Sequence, residues 1–173
     1  VLYCADPKEE AVNVEALKLE WSHDCNIIVG QSHFIKTVED LAEIMASSVP
    51  GAKWGLAFNE ASGPCLVRTE GSDPALVADA AACARKAGAG HSFFLVLGPG
   101  TYPINVLDRI KACPEVCRIF CATANPLELI VARSEQGAGI LGVIDGSSPK
   151  GLEGDADKAD RRAMLRDFGY KFG

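Results

Sequence analysis

The clearest feature of the chain is a series of short apolar runs separated by polar, glycine- and proline-bearing breaks. Asn26-Ile27-Ile28-Val29, Lys53 to Asn59 and His91 to Leu97 are almost wholly apolar over strand length, which is the pattern of strands buried on both faces. Val14 to Trp21 alternates instead, with Leu17, Leu19 and Trp21 on one side, and predicts a half-buried strand. Ser22-His23-Asp24 is the turn after it, so the first two strands are expected to form a hairpin, with His23 exposed in the turn. Cys65 to Thr69, Val116 to Ala122, Leu127 to Ala132 and Gly139 to Ile144 complete the strands. Helical spacing predicts helices over Val38 to Ser48, from Pro74 to about Lys86, from Ile104 to Ala112, and from Asp155 to Asp167. Thr37 with Asp40 three residues on has the form of a capping box, and Pro74 suits a first helical turn. Residues 1–13 read as an irregular arm, and 14–173 as a single α/β domain with a mixed sheet flanked by helices.

Composition narrows the class. With 173 residues and 48% hydrophobic content, the chain can build one domain with a real core. A formal charge of −6 argues against nucleic acid or an anionic membrane as partner, and no apolar run reaches transmembrane length. Seven cysteines is an odd number without paired C-x-x-C spacing, so they read as reduced thiols of a cytoplasmic or organelle-interior, reducing compartment. Cys113, Cys117 and Cys121 recur every four residues, but Pro114 breaks any helix there, and no metal site is expected.

Standard catalytic signatures are missing. Gly137-Ala138-Gly139-Ile140-Leu141-Gly142 has the letters of a dinucleotide fingerprint but runs into a strand rather than a helix. Gly146-Ser147-Ser148-Pro149-Lys150-Gly151 lacks the order of a P-loop. What remains is a set of polar strand ends: Gln31-Ser32-His33, Glu60-Ala61-Ser62-Gly63, Gly90-His91-Ser92, Thr123-Ala124-Asn125 and Asp145-Gly146. Each adjoins an apolar strand, so several are expected to converge on one cleft. The loop from Gly30 through Lys36 leads from a strand into a helix, where free N–H groups favour anions. Arg68 and Arg118 lie within strands and need an anion: Glu60 or Asp145, or a bound phosphate.

Taken in order, these segments resemble the adenosine-specific kinase family, best known from archaea. The resemblance rests on Val29 through Leu41, Glu60-Ala61-Ser62-Gly63 with Leu66-Val67-Arg68, and Gly88-Ala89-Gly90-His91. It continues in Pro103 to Leu107, Pro114 to Phe120, Ala122 to Pro126, Gly142 to Gly146 and Leu165 to Tyr170, covering about residues 14 to 172. It implies a compact α/β protein, a homotrimer or hexamer, that binds adenosine or AMP in preference to ADP and ATP and carries a phosphorylated histidine. On this chain His33 and His91 fall inside matching motifs, with His33 favoured as the modified residue and Glu60 as a catalytic partner. Gln31, Ser32, Lys36, Ser62, Gly63, Arg68, Thr123, Asn125, Asp145 and Gly146 are the implied substrate-binding residues, with Arg68, Lys36 and the helix after Thr37 on the phosphate. A Mg-nucleotide or another phosphoryl donor would complete the reaction. The chain departs from the family pattern at Asn59, where a cysteine is common, and in the Gly98-Pro99-Gly100-Thr101 loop. Two other readings stay open: an adenosine or AMP sensor without turnover, and a structural subunit of a larger assembly.

Overall fold

The computed structural model describes residues 11–172. The elements, in chain order, are β1 (Asn13–Leu19), β2 (Asn26–Ser32), α1 (Thr37–Ser48), β3 (Trp54–Asn59), β4 (Val67–Gly71), α2 (Pro74–Ala87), β5 (Ser92–Leu97), α3 (Leu107–Ala112), β6 (Val116–Thr123), β7 (Leu127–Arg133), β8 (Ala138–Asp145) and α4 (Asp155–Asp167). The strands divide into two sheets, ordered β4-β3-β5-β2-β6 and β1-β7-β8. Every ladder is antiparallel, and the parallel pairing among the described residues is the isolated bridge between Ala89 and Ala138. The result is an α/β domain with its strands in the centre. Asn13 already belongs to β1, so the expected arm ends a residue earlier than predicted, and its first ten residues lie outside the described ones.

The expected hairpin of the first two strands does not form. β2 pairs with β5 on one side and β6 on the other, whereas β1 pairs with β7. The reason is burial. Ile27, Ile28 and Val29 are fully buried, so β2 must be central and covered on both faces. β1 keeps one exposed face and suits the edge of the smaller sheet.

Alternation along the central strands sends side chains to two cores. Ile28, Leu56, Phe58, Phe93 and Leu95 pack with Val38, Leu41 and Met45 of α1 and Ile110 of α3. Ile27, Val29, Ala57, Phe94 and Val96 pack on the opposite face against the alanine-rich side of α2 and against Leu127, Leu129 and Val131 of β7. The five-stranded sheet is therefore the middle of three layers. α4 buries no residue. The chain just beyond it touches the Tyr102 loop through an edge-on contact of the Tyr102 and Tyr170 rings, centroids 6.4 Å apart.

Local signals are met unevenly. Asp73 caps α2 by accepting from the Ala75 and Leu76 N–H groups, and Gly88 closes it in the left-handed conformation. The Thr37 capping box does not form. Lys36 holds the N-cap position, Thr37 is the first helical residue, and its hydroxyl donates to Phe34 O at 2.6 Å. The helix expected over Ile104 to Ala112 splits into a 3₁₀ turn at Pro103–Asn105 and the short α3. β6 carries an extra residue at two points opposite β2, and these bulges bend it beside the polar end of the sheet.

α2 lies so close to β3 that a Cβ at Gly55 would sit 2.1 Å from the Leu76 carbonyl carbon. Gly55→Ala must push the helix off the sheet, and is expected to cost about 3 kcal/mol. Urea unfolding checks this, and an unchanged midpoint would contradict the packing.

Candidate functional site

Antiparallel pairing decides which polar strand ends meet. The last residues of β2 and β3 and the first residues of β4, β5 and β6 share one end of the five-stranded sheet. This brings together Gln31, Ser32, His33, Lys36, Glu60, Ser62, Gly63, Arg68 and His91. Thr123 pairs with Ile27 at the start of β2, so Thr123, Asn125, Asp145 and Gly146 lie at the opposite end, a strand length of about 20 Å away. The expectation of one cleft does not extend to both groups: the second lies at the other end of the sheet, and from the first Glu60 and Gln31 line the cavities at this end. The far group is internally bonded: Asp145 accepts from Thr123 Oγ1 at 2.7 Å and from Asn125 Nδ2 at 3.0 Å.

The turn from α2 into β5 organises the near end. Gly88 and His91 both have left-handed backbones, at φ 59° and φ 61°. For histidine that conformation is uncommon and needs support from its surroundings. The support comes from neighbouring strands: His91 N–H donates to Asn59 O at 2.7 Å, and Ser32 N–H donates to His91 O at 3.0 Å. The imidazole stacks on Phe58, ring centroids 5.9 Å apart. Gly90 has no room for a side chain, since a Cβ there would lie 2.9 Å from the Ala61 Cβ.

Beside this turn, on the α2 side of the sheet, a cleft of about 750 Å³ opens between the β3–β4 loop and the β7–β8 hairpin. Glu60, Leu66, Gly90, Arg85, Arg133 and Ala138 are among its walls. It continues into a recess of about 60 Å³ lined by Gln31, Ser92, Phe120 and Ile140, with Gly90 and Ala138 shared between the two. Apolar walls with a few convergent polar groups are what a small organic ligand needs. Glu60 accepts from Arg68 Nη2 and from the Leu66 N–H, both at 2.8 Å. Arg68 thus finds its anion inside the chain, and its hydrogen bond, then that of Leu66, holds the Glu60 carboxyl below its usual range. Ser62 and Gly63 form the exposed tip of the same loop.

A second polar cluster sits on the α1 side. Lys36 Nζ bonds to Asp40 and, at 3.0 Å, to Glu115 Oε1. Cys113 Sγ donates to the other Glu115 oxygen at 2.9 Å. The thiol's hydrogen bond and then the lysine's hold the Glu115 carboxyl down to about 2, while burial and the carboxylate push the Cys113 thiol up to about 11. Asp40, Cys113 and Glu115 offer ligand atoms within 4.8 Å of one another. The ammonium of Lys36 already bridges both carboxylates, so a metal ion would have to displace it. Lys36 is accordingly occupied rather than open to phosphate. The exposed His33 is tied to this cluster through its N–H, which donates to Glu115 O at 3.0 Å.

Three placements escaped sequence reasoning. Asn59 is buried and its amide donates to Ala84 O, Ala89 O and Ser92 Oγ at 2.9, 3.2 and 3.1 Å. At the end of an apolar strand, it carried no signal beyond its departure from the family pattern. Glu115 looked like a turn residue after Pro114. Arg118 does not meet Glu60 or Asp145; it is exposed, with its guanidinium 5.9 Å from the Phe120 ring centroid.

Comparison with known proteins adds an independent line. A family model described as adenosine specific kinase matches residues 17–171. Among solved structures, the PH1918 protein from Pyrococcus horikoshii OT3 is similar at 42% identity and a TM-score of 0.89, over 94% of this chain and 100% of that one. No curated protein sequence matches. No helix among the described residues is long and apolar enough to cross a membrane.

The depressed Glu115 carboxyl sets an acid limit. The unfolded chain takes up this proton near pH 4.5 and the folded chain only near 2, so its contribution is complete above the unfolded value and is lost as pH falls towards 2. Urea midpoints measured from pH 6 down to about 2.5 should fall less steeply for Glu115→Gln than for the wild type. Parallel curves would show that the Lys36–Glu115–Cys113 contacts are not made in solution.

Proposed function

The chain belongs to the adenosine specific kinase family, and from that premise we propose that the cleft at the near end of the five-stranded sheet binds adenosine or AMP. The observation that carries this reading is convergence. Two segments that match the family, Glu60 to Arg68 and Gly88 to His91, come from different strands and supply walls of the same 750 Å³ cleft. That space is ample for a nucleoside. Where the cleft narrows into the recess, Phe120 and Ile140 offer apolar surface beside a base, and Gln31 can hydrogen-bond its edge.

Phosphoryl transfer through His91 belongs to the same proposal. An imidazole nitrogen attacks the phosphorus of a donor, a Mg-nucleotide or another phosphate ester or anhydride, and the donor's leaving group departs with its electron pair. The adenosine 5′-oxygen then attacks that phosphorus, the P–N bond breaks with its electron pair returning to the imidazole nitrogen, the hydroxyl proton passes to that imidazole, and AMP forms. Glu60 is suited to orient the hydroxyl; with its carboxyl below the usual range it is a weak proton acceptor. His91 replaces His33 as the favoured carrier because it directly follows Gly90 of the cleft and its backbone is held between neighbouring strands, whereas His33 is exposed beside Glu115; the His91 ring itself lies over Phe58, towards the α1 face.

A second reading, binding without turnover, is supported by one specific observation. Arg68 and Lys36, the two cations expected to meet the phosphate, are both held by carboxylates of the chain itself. A homotrimer or hexamer belongs to the same proposal. Exposed Val14, Leu141 and Ile144 on the three-stranded sheet are apolar surface that another copy would cover.

Calorimetric titration with adenosine, AMP, ADP and ATP should show binding of the first two in preference to the others. Ala138→Phe fills the cleft from β8 and should weaken adenosine binding more than about tenfold without lowering the unfolding temperature. Unaltered affinity would place the ligand elsewhere. Incubation with a phosphoryl donor followed by mass spectrometry should find one added phosphoryl group on the wild type and on His33→Ala, and none on His91→Ala. No modification of any variant would leave binding without turnover as the function.

A further inference from the structure

We infer that Asn59 is the positioning residue for His91, setting the direction of the imidazole through the turn that carries it. The inference rests on the reading of His91 as the phosphoryl carrier. Four residues, Gly88 to His91, join the end of α2 to the start of β5, and the first and last of them are left-handed. Such a turn has several backbone alternatives unless its flanks are fixed. Asn59 fixes both flanks from one side chain. Its amide bonds Ala84 O on the last turn of α2, Ala89 O inside the connection, and Ser92 Oγ at the start of β5. Ser92 Oγ passes its own hydrogen to Ala89 O at 2.6 Å, so its lone pairs are free to accept from the amide. The Asn59 main chain completes the clamp, its carbonyl accepting the His91 N–H at 2.7 Å.

The chemistry of the amide matters. Its two N–H hydrogens face three acceptors, two of them backbone carbonyls, with one hydrogen shared between two of the three, and so the group must donate. A carboxylate there would repel them, and a thiol could donate only one weak hydrogen bond. Asn59 also lines the cleft, so the clamp ties the wall of the binding space to the orientation of the histidine above Phe58. No other side chain among the described residues is recorded with hydrogen bonds to both the α2 end and the start of β5.

The test uses the full chain with three substitutions: Asn59→Ala, Asn59→Ser, which keeps a single donor, and Ala80→Gly, which loosens α2 in the same core without touching the turn. The ring nitrogen and carbon-bound proton resonances of His91 are followed by NMR, assigned with His91→Gln. Phosphoryl incorporation at His91 is measured beside them. Asn59→Ala should move the His91 ring resonances and slow incorporation by about tenfold or more, because small misplacements of a reacting group are costly in rate. Asn59→Ser should fall between it and the wild type. Ala80→Gly should lower the unfolding temperature yet leave the ring resonances in place. His91 resonances unmoved in both Asn59 variants, or moved equally by Ala80→Gly, would overturn the inference. If Asn59→Ala does not fold, Asn59→Ser against Ala80→Gly decides it. If the wild type takes up no phosphoryl group, the phosphohistidine reading fails, while the ring resonances still decide whether Asn59 positions His91.

Discussion

The central strands β3, β5 and β2 are apolar on both faces, and everything else in the structure accommodates that fact. Exposing either face would leave phenylalanine, leucine and isoleucine side chains in water. α1 and α3 cover one side, and α2 with the three-stranded sheet covers the other. A sheet closed on both faces has no broad surface left for a ligand, so access is confined to its two ends. There the strands stop, and the polar loops begin.

The two ends are built differently. At the far end, Thr123, Asn125 and Asp145 bond to one another. At the near end, the loops stand apart because α2 finishes there and the β7–β8 hairpin does not close over it, leaving the cleft. Several of the charges at this end are paired within the chain, Arg68 with Glu60, Arg133 with Glu15, and Lys36 with Asp40 and Glu115. Charge that looked available in the sequence is therefore spent on holding loops in shape. What the near end presents is a space of mixed polarity, with Glu60, Arg85 and Arg133 among its walls, beside a turn whose histidine has a constrained backbone.

Asn59 shows how shape and chemistry are joined in this fold. It ends a strand buried on both faces, yet it is polar, and its amide is satisfied by groups from three separate segments. A buried donor with such partners is costly to replace by anything that cannot donate. The same contacts tie the end of α2 to the turn that carries His91 and to the start of β5.

The sequence by itself determined the elements and the family. Buried strands, the capped and glycine-terminated α2, and the polar character of the loops are local properties, readable from periodicity, Pro, Gly and Asp at their proper offsets. Colinear family motifs survive in the chain whatever it folds into. Tertiary structure alone decided the pairing. A half-buried β1 and a fully buried β2 are adjacent in sequence but cannot share a sheet position, so the expected hairpin gave way to β1 with β7. Antiparallel pairing also alternates the direction of neighbouring strands. A strand end named in the sequence therefore belongs to one end of the sheet or the other only once its partner is known. That is why Glu60 and His91 come to the same end of the sheet while Asp145 lies at the other. Asn59, Glu115 and Cys113 were illegible for the same reason: each acquires its role from partners brought in by folding, and the meaning of a hydrogen-bond donor or acceptor depends on what it faces.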